Sequence, residues 1–237
     1  MGSPLLVKPM TITSYKSPGI SSVLRIERFE NHEPKQKAND GCRRNFDLDC
    51  ELLAVGLLGV SDVRFYHRQG FEQNRIISIE KEMWPNHASL KNDMNRAGFN
   101  EVQVVWNDVF DYIDTLDDRS ISALFLDLWG FAELCPNAKN KDRNERLERI
   151  CPKLADDFHF MFTYEDQRST SIWMQKAKEA AIDSDRSRYV YKVCSRLLEP
   201  RGVEVAELVS QKYPGLLGDG RTCRMVTSSF VGHPAKA

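Results

Sequence analysis

The chain has 237 residues, of which 41% are hydrophobic and 28% are charged, and its formal net charge is −1. These values are typical of a globular protein with a substantial core, and the balanced charge gives no overall attraction to nucleic acid or to a membrane. No apolar run approaches the roughly 18–20 residues that a transmembrane helix requires, and the first residues lack the pattern of a signal peptide.

Residues 1–40 differ in composition from the rest of the chain. They contain several serines, four prolines and the polar stretch ENHEPKQKANDG. Proline and polar clusters of this kind interrupt regular structure. We therefore predict an N-terminal extension over residues 1–40, strand-like at SSVLRIERF and otherwise loop, followed by one domain over residues 41–237.

From Phe46 onward, short apolar runs alternate with longer amphipathic segments. The short runs predict strands at Cys50–Gly56, 75–80, 102–106, Ile121–Gly130, Asp157–Tyr164 and 222–232. The longer segments predict helices at 61–70 (with Ser61 as its cap), 83–98, 144–154, 171–182 and 202–213, while 188–198 fits either a helix or a strand. This alternation, with central strands too apolar to face water, is typical of an α/β fold with a mostly parallel sheet and helices on both faces.

Glycines and acids stand where the first four predicted strands end. Gly56 and Gly59 follow the first strand, and Glu80, Asp108 and Asp127 follow the next three. In parallel sheets, ligands bind outside the carboxyl ends of the strands. A glycine turn admits a ligand close to the backbone, and a carboxylate about 20 residues later can accept hydrogen bonds from the two ribose hydroxyls. The pattern therefore predicts a site for an adenosine-type ligand.

The motifs ELLAVGLLG, RIISIEKE, VQVVWNDVFDYI and ALFLDLWG, in this order, resemble those of Rossmann-like class I methyltransferases that use S-adenosylmethionine. The resemblance covers about half of the chain and implies an antiparallel last strand at TCRMVTSSFVG. It assigns Gly56 and Gly59 to the cofactor turn and Glu80 to the cofactor ribose. It also assigns Asp108 and Val109 to the adenine. Asp127 would face the methyl group, and Trp129 would join it in positioning the acceptor.

The first motif departs from the family pattern. Ala54 replaces an acid, and Leu58 replaces the middle glycine, so that only Gly56 and Gly59 remain. The sequence therefore leaves two main functions open: a methyltransferase with nucleic acid as the first acceptor class, and a methyltransferase-like protein without catalysis that serves as a binding or structural subunit. A nicotinamide-dependent oxidoreductase uses similar glycine and acid positions, but it leaves Asp108 and Asp127 unexplained.

Partners and compartment are predicted from basic residues and cysteines. The segment 186–201 contains two tyrosines and an excess of cations that could contact an RNA or DNA backbone, among them Arg186, Arg188, Lys192 and Arg196. A protein partner is also compatible with this segment, and a membrane is not expected. Six scattered cysteines without a CxxC pair predict reduced thiols in an intracellular protein and make a zinc site improbable.

Overall fold

A computed structural model of the protein describes residues 33–43, 48–80, 87–128, 134, 144–166, 186–216 and 222–235. In chain order, the helices are α1 (Glu33–Cys42), α2 (Val60–Arg68), α3 (His87–Arg96), α4 (Val109–Asp114), α5 (Glu145–Ile150) and α6 (Arg186–Leu198). The strands are β1 (Leu53–Gly56), β2 (Ile76–Ile79), β3 (Gln103–Val105), β4 (Ile121–Asp127), β5 (Leu154–Glu165), β6 (Val203–Leu216) and β7 (Thr222–Pro234).

The strands form one seven-stranded sheet in the order β3-β2-β1-β4-β5-β7-β6. Neighbouring strands from β3 to β5 are parallel, whereas β7 is antiparallel to both β5 and β6. The central strand β4 reads ISALFLD, and its first six residues are buried because layers cover both faces of the sheet. The predicted mostly parallel sheet with an antiparallel last strand is confirmed.

Helices pack on both faces of the sheet and bury two apolar clusters. On one face, α1, α2 and α3 cover Ala54, Phe125 and Met161. On the other face, α4, α5 and α6 cover a larger cluster that includes Phe160 and Phe162. Burying apolar surface on both faces is the main favourable term for such a fold, and the prediction of helices on both faces is confirmed.

Residues 202–213 were predicted as a helix, and this prediction is wrong. Val203–Leu216 is strand β6, which pairs with β7 from Val203 opposite Pro234 to Leu216 opposite Thr222. A bulge lies between Ala206 and Val209, where Glu207 has a φ of +56°. The extra residue interrupts the alternation of apolar and polar side chains along the strand. The resulting spacing of apolar residues resembles that of a helix.

The polar stretch predicted as loop before residue 41 is also partly helical. Helix α1 has no continuous apolar stripe, and its buried residues are Ala38, Asn39 and Cys42. Its polar groups bond to β7: the Thr227 hydroxyl donates to Asn39 Oδ1 over 3.0 Å, and the Ser229 hydroxyl donates to the Cys42 carbonyl over 2.8 Å. The segments 21–29 and 171–182, predicted as strand and helix, lie outside the described residues.

Two further details concern helix ends and ambiguous segments. Helix α2 is capped by Gly59 and not by Ser61, so that part of the prediction is wrong. The segment 188–198, which fitted either a helix or a strand, is helical within α6.

Candidate functional site

The carboxyl ends of β1 to β4 meet at one edge of the sheet because these strands are parallel neighbours. Strand β1 lies between β2 and β4, so the strand order reverses between β1 and β4. In open α/β sheets, a crevice forms at such a reversal, outside the carboxyl ends of the strands. Gly56, Glu80, Asp108 and Asp127 therefore lie along this edge, as their positions in the sequence predicted.

Gly56 ends β1 where the chain passes very close to β4. Its φ is +154°, and a Cβ atom at this position would lie only 1.9 Å from the carbonyl oxygen of Phe125. That same carbonyl accepts the Leu57 amide over 3.0 Å. Leu58 is buried, and its carbonyl accepts the Ser78 hydroxyl over 2.6 Å. Packing between strands therefore requires the first glycine, and a buried leucine replaces the middle one.

The amino end of α2 is satisfied by a carboxylate of the chain itself. Asp62 lies three residues after the cap Gly59, and its Oδ2 accepts the Gly59 amide over 3.0 Å. Asp62 also forms an ion pair with the buried Arg43. Sequence reasoning missed both residues, although an acid three positions after a capping residue is a known signal of a helix start.

Glu80 continues the β2–β3 ladder by one step. Its amide donates to the Val105 carbonyl over 2.9 Å, and its side chain is buried, with 8% of the residue surface exposed. A buried carboxylate requires compensating donors or charges, since leaving it without them is costly. This carboxylate lies beside the ends of β2 and β3, at the edge where the sequence predicted it.

Asp108 is the cap of α4. Its side chain accepts hydrogen bonds from the Phe110 amide over 2.9 Å and from the Asp111 amide over 3.4 Å. Such caps stabilise a helix by satisfying amides that have no partner within it. Val109 is buried in the core beneath it. The structure thus gives Asp108 a role within the fold as the cap of α4.

Asp127 at the end of β4 contacts two side chains among the described residues. Lys35 of α1 forms an ion pair with Oδ2, and the Thr163 hydroxyl of β5 donates to Oδ1. About a fifth of each side chain of the ion pair is exposed. The sequence did not indicate Lys35 as a partner, because the two residues lie 92 positions apart. Trp129, predicted beside Asp127, lies outside the described residues.

The negative charge of Asp127 changes the pKa values of the neighbouring groups Lys35 and Tyr213. Burial lowers the pKa of Lys35, but the carboxylate of Asp127 outweighs that effect and leaves the pKa above its usual value. The phenol of Tyr213 on β6 has a raised pKa because it is buried and near the negative charge of Asp127. Lys35 is therefore a cation at neutral pH, and Tyr213 is a neutral phenol.

Helix α6 presents only part of the predicted basic segment to the surface. Arg186 is buried, and its Nη1 donates to the Glu165 carbonyl over 2.9 Å, so its predicted contact with a nucleic-acid backbone is wrong. Arg188, Lys192 and Arg196 are exposed at successive intervals of four residues, which places them on one face of the helix. Both tyrosines of this segment have internal hydrogen bonds and do not stack outward.

Within the described part of the chain, no group of three His, Cys, Asp or Glu side chains could hold a metal ion. None of the described cysteines (Cys42, Cys50, Cys151, Cys194 and Cys223) forms a disulfide bond with another described residue. None of the helices in the same residues is long and apolar enough to cross a membrane.

The strand order, the antiparallel β7 and the helices on both faces define the Rossmann-like class I methyltransferase fold. No family model and no curated protein matches the chain. Among solved structures, TYW2 from M. jannaschii in complex with AdoMet is 11% identical, with a TM-score of 0.47, and the match covers 84% of this chain and 76% of that one.

Two other solved structures resemble the chain to a similar degree. Geranyl diphosphate C-methyltransferase from Streptomyces coelicolor A3(2) is 10% identical with a TM-score of 0.48, and the match covers 97% of this chain and 91% of that one. A SAM-dependent methyltransferase from Anabaena variabilis is 12% identical with a TM-score of 0.46, and the match covers 94% of this chain and all of that one.

Proposed function

We propose that the protein is a methyltransferase that uses S-adenosylmethionine, with nucleic acid as its acceptor. Glu80 binds the hydroxyls of the cofactor ribose, and the turn from Gly56 to Gly59 lies against the cofactor. Asp108 and Val109 contact the adenine. The methyl group and its acceptor lie near Asp127, with Trp129 against the acceptor.

The observation that carries the proposal is the meeting of a close-packed glycine turn and a buried carboxylate at neighbouring strand ends. Gly56 ends β1, and the buried Glu80 follows β2, which pairs with β1 in parallel. The turn after β1 is held against β4, because the Phe125 carbonyl occupies the place that a side chain at Gly56 would take, and a carboxylate at the next strand end suits a ribose diol. These residues fit the adenosine part of the cofactor.

The bound cofactor supplies an electrophilic methyl group, and the protein must hold an acceptor in line with it. Positioning of this kind can account for much of the rate without a strong base. Lys35 and Thr163 fix both oxygens of Asp127, so this carboxylate has a defined orientation at the end of β4. An oriented acceptor of hydrogen bonds is what a nucleobase amino group would require.

Nucleic acid is proposed as the acceptor because of the exposed face of α6. Arg188, Lys192 and Arg196 form a row along this helix, and such cations contact phosphates while releasing counterions. The net charge of −1 gives no general attraction to polyanions, so any binding must come from a local surface of this kind.

A second candidate function is that of a non-catalytic binding or structural subunit. This function is favoured because carboxylates near the strand ends form hydrogen bonds and ion pairs with other groups of the chain. Asp108 caps α4, Asp62 accepts the Gly59 amide at the start of α2 and pairs with Arg43, and Asp127 pairs with Lys35. Each of these contacts stabilises the chain without a ligand.

Calorimetric titration with S-adenosylmethionine and S-adenosylhomocysteine separates these functions. We expect micromolar binding to the wild-type protein and loss of binding in Glu80→Ala. Glu51→Ala is the matched control, because Glu51 is exposed just before β1, at the opposite end of that strand, and we expect it to bind normally. If neither ligand binds to folded wild-type protein, the proposed methyltransferase function is refuted and the function of a non-catalytic subunit is favoured. Transfer of a labelled methyl group to RNA or DNA would then test the acceptor.

A further inference from the structure

A buried arginine lies at the crevice between β1 and β4. The guanidinium carbon of Arg43 lies 4.8 Å from the centre of the Phe65 ring on α2 and 5.8 Å from that of Phe125 on β4. Only 4% of its side-chain surface is exposed. Arg43 follows α1 directly, so α1 positions this cation at the point where the strand order reverses.

The hydrogen bonds of this guanidinium are incomplete. Asp62 forms an ion pair with it, and Asp40 lies 3.6 Å from Nη1, but the buried Nε has no hydrogen-bond partner among the residues that the structure describes. A buried N–H of a charged group without an acceptor is costly, and native structures rarely tolerate it without a reason. Burial also lowers the pKa of Arg43. This cation is therefore better suited to receiving another anion than to packing alone.

Asp62 lies at the same place with the opposite charge. It connects Arg43 to the Gly59 amide at the start of α2, and a tenth of its side chain remains exposed. The first strand lacks a carboxylate because Ala54 occupies that position. An arginine and an aspartate in contact are complementary to the carboxylate and the ammonium group of an α-amino acid.

We propose that Arg43 and Asp62 together bind the amino-acid end of the cofactor, Arg43 its carboxylate and Asp62 its ammonium group. This proposal rests on the proposed function, because it concerns the same ligand at the same edge of the sheet. It explains how the first motif can function with Ala54 and Leu58: the pair supplies the charges that the turn lacks. Arg43 and Asp62 are thus specificity-determining residues for the amino-acid end and do not contact the adenosine.

The test uses ligands that differ only at this end. Wild-type protein is titrated calorimetrically with S-adenosylhomocysteine and with 5′-methylthioadenosine, which lacks the amino-acid group. We expect S-adenosylhomocysteine to bind at least about 10-fold more tightly, the order expected for one or two charge-assisted hydrogen bonds. Equal affinities would overturn the proposal and leave the adenosine site intact. Binding of neither ligand would overturn this proposal and the proposed function together.

Variants of Arg43 and Asp62 then test whether this pair causes the difference in affinity between the two ligands. In Arg43→Gln and in Asp62→Asn, we expect the preference for S-adenosylhomocysteine to fall by about 10-fold while the affinity for 5′-methylthioadenosine is unchanged. The control is Arg64→Gln, an exposed arginine of α2, which should keep the wild-type preference. Equal weakening of both ligands in Arg43→Gln would indicate a purely structural pair and overturn the proposal. The wild-type comparison needs no variant, so the proposal stays testable even if a substitution prevents folding.

Discussion

At the level of single residues, Gly56 is subject to two constraints that substitutions can separate. Its positive φ is unfavourable for other residues, and its missing Cβ leaves room for the Phe125 carbonyl. Gly98, after α3, shares only the first constraint, with a φ of +86° and no atom within 4 Å of an added Cβ. We expect Gly98→Ala to lower the free energy of unfolding by about 1–2 kcal/mol, the cost of the left-handed conformation. Gly56→Ala should cost more than about 3 kcal/mol because backbone must also move.

Urea denaturation followed by circular dichroism measures both values. Equal losses in the two variants would contradict the steric argument and indicate that the backbone conformation alone requires a glycine at position 56. A much larger loss for Gly56→Ala would show that the turn is fixed by its contact with β4, independently of any ligand.

Residues near the strand ends differ in how well the sequence predicted them. Glu80 and Asp127 could be located because each ends a short apolar run, and parallel strands bring such ends to one edge. Lys35 and Arg43 could not, because they lie in and just after α1, far from these runs in sequence. Charge pairing over such separations leaves no periodic signal, so only the folded structure associates Lys35 with Asp127.

At the level of secondary structure elements, α1 is held by polar contacts, and one of its lysines is central to them. In Lys35→Met, Asp127 would lose its cation and, among the described residues, keep the Thr163 hydroxyl. Breaking a buried ion pair is strongly destabilising, but a fifth of each side chain is exposed here. We therefore expect a loss of about 2 kcal/mol in the free energy of unfolding, below the full cost of a buried pair. Urea denaturation measures this loss.

Lys37→Met on the same helix is the matched control. Lys37 pairs with Glu33 on the exposed side of α1, where three quarters of each side chain is accessible to water. Exposed pairs of this kind contribute little, so the stability should not change measurably. Equal stability of the Lys35 and Lys37 variants would mean that the contact with Asp127 does not hold α1.

Helix α1 and strand β6 also explain where the fold prediction failed. Sequence patterns identify elements that bury apolar side chains, as in β4 or α3. Helix α1 escaped detection because it buries Asn39 and Cys42 against hydroxyls of β7. Strand β6 contains good helix formers such as Ala206 and Leu208, but pairing with β7 along its length overrides that local preference.

At the level of the whole molecule, the distribution of charge matters more than its sum. The chain carries 33 basic and 34 acidic residues, so a polyanion gains nothing from the total charge. Binding to nucleic acid must then depend on where the cations lie. The exposed row of α6 (Arg188, Lys192 and Arg196) and the exposed arginines around α2 (Arg64, Arg68 and Arg75) provide two sets of equal charge for comparison.

Replacing each set with glutamine changes the net charge by the same amount, so only location distinguishes the variants. If the α6 row contacts phosphates, its loss should weaken binding to single-stranded RNA and reduce the slope of log K against log salt by about 2, as expected for three phosphate contacts. The variant of the α2 set should keep the wild-type slope. Fluorescence anisotropy between 50 and 200 mM salt, roughly the range over which such contacts change affinity most visibly, measures both. Equal effects of the two variants would mean that total charge governs binding. If the wild-type protein binds neither RNA nor DNA, the proposal of nucleic acid as the acceptor is wrong.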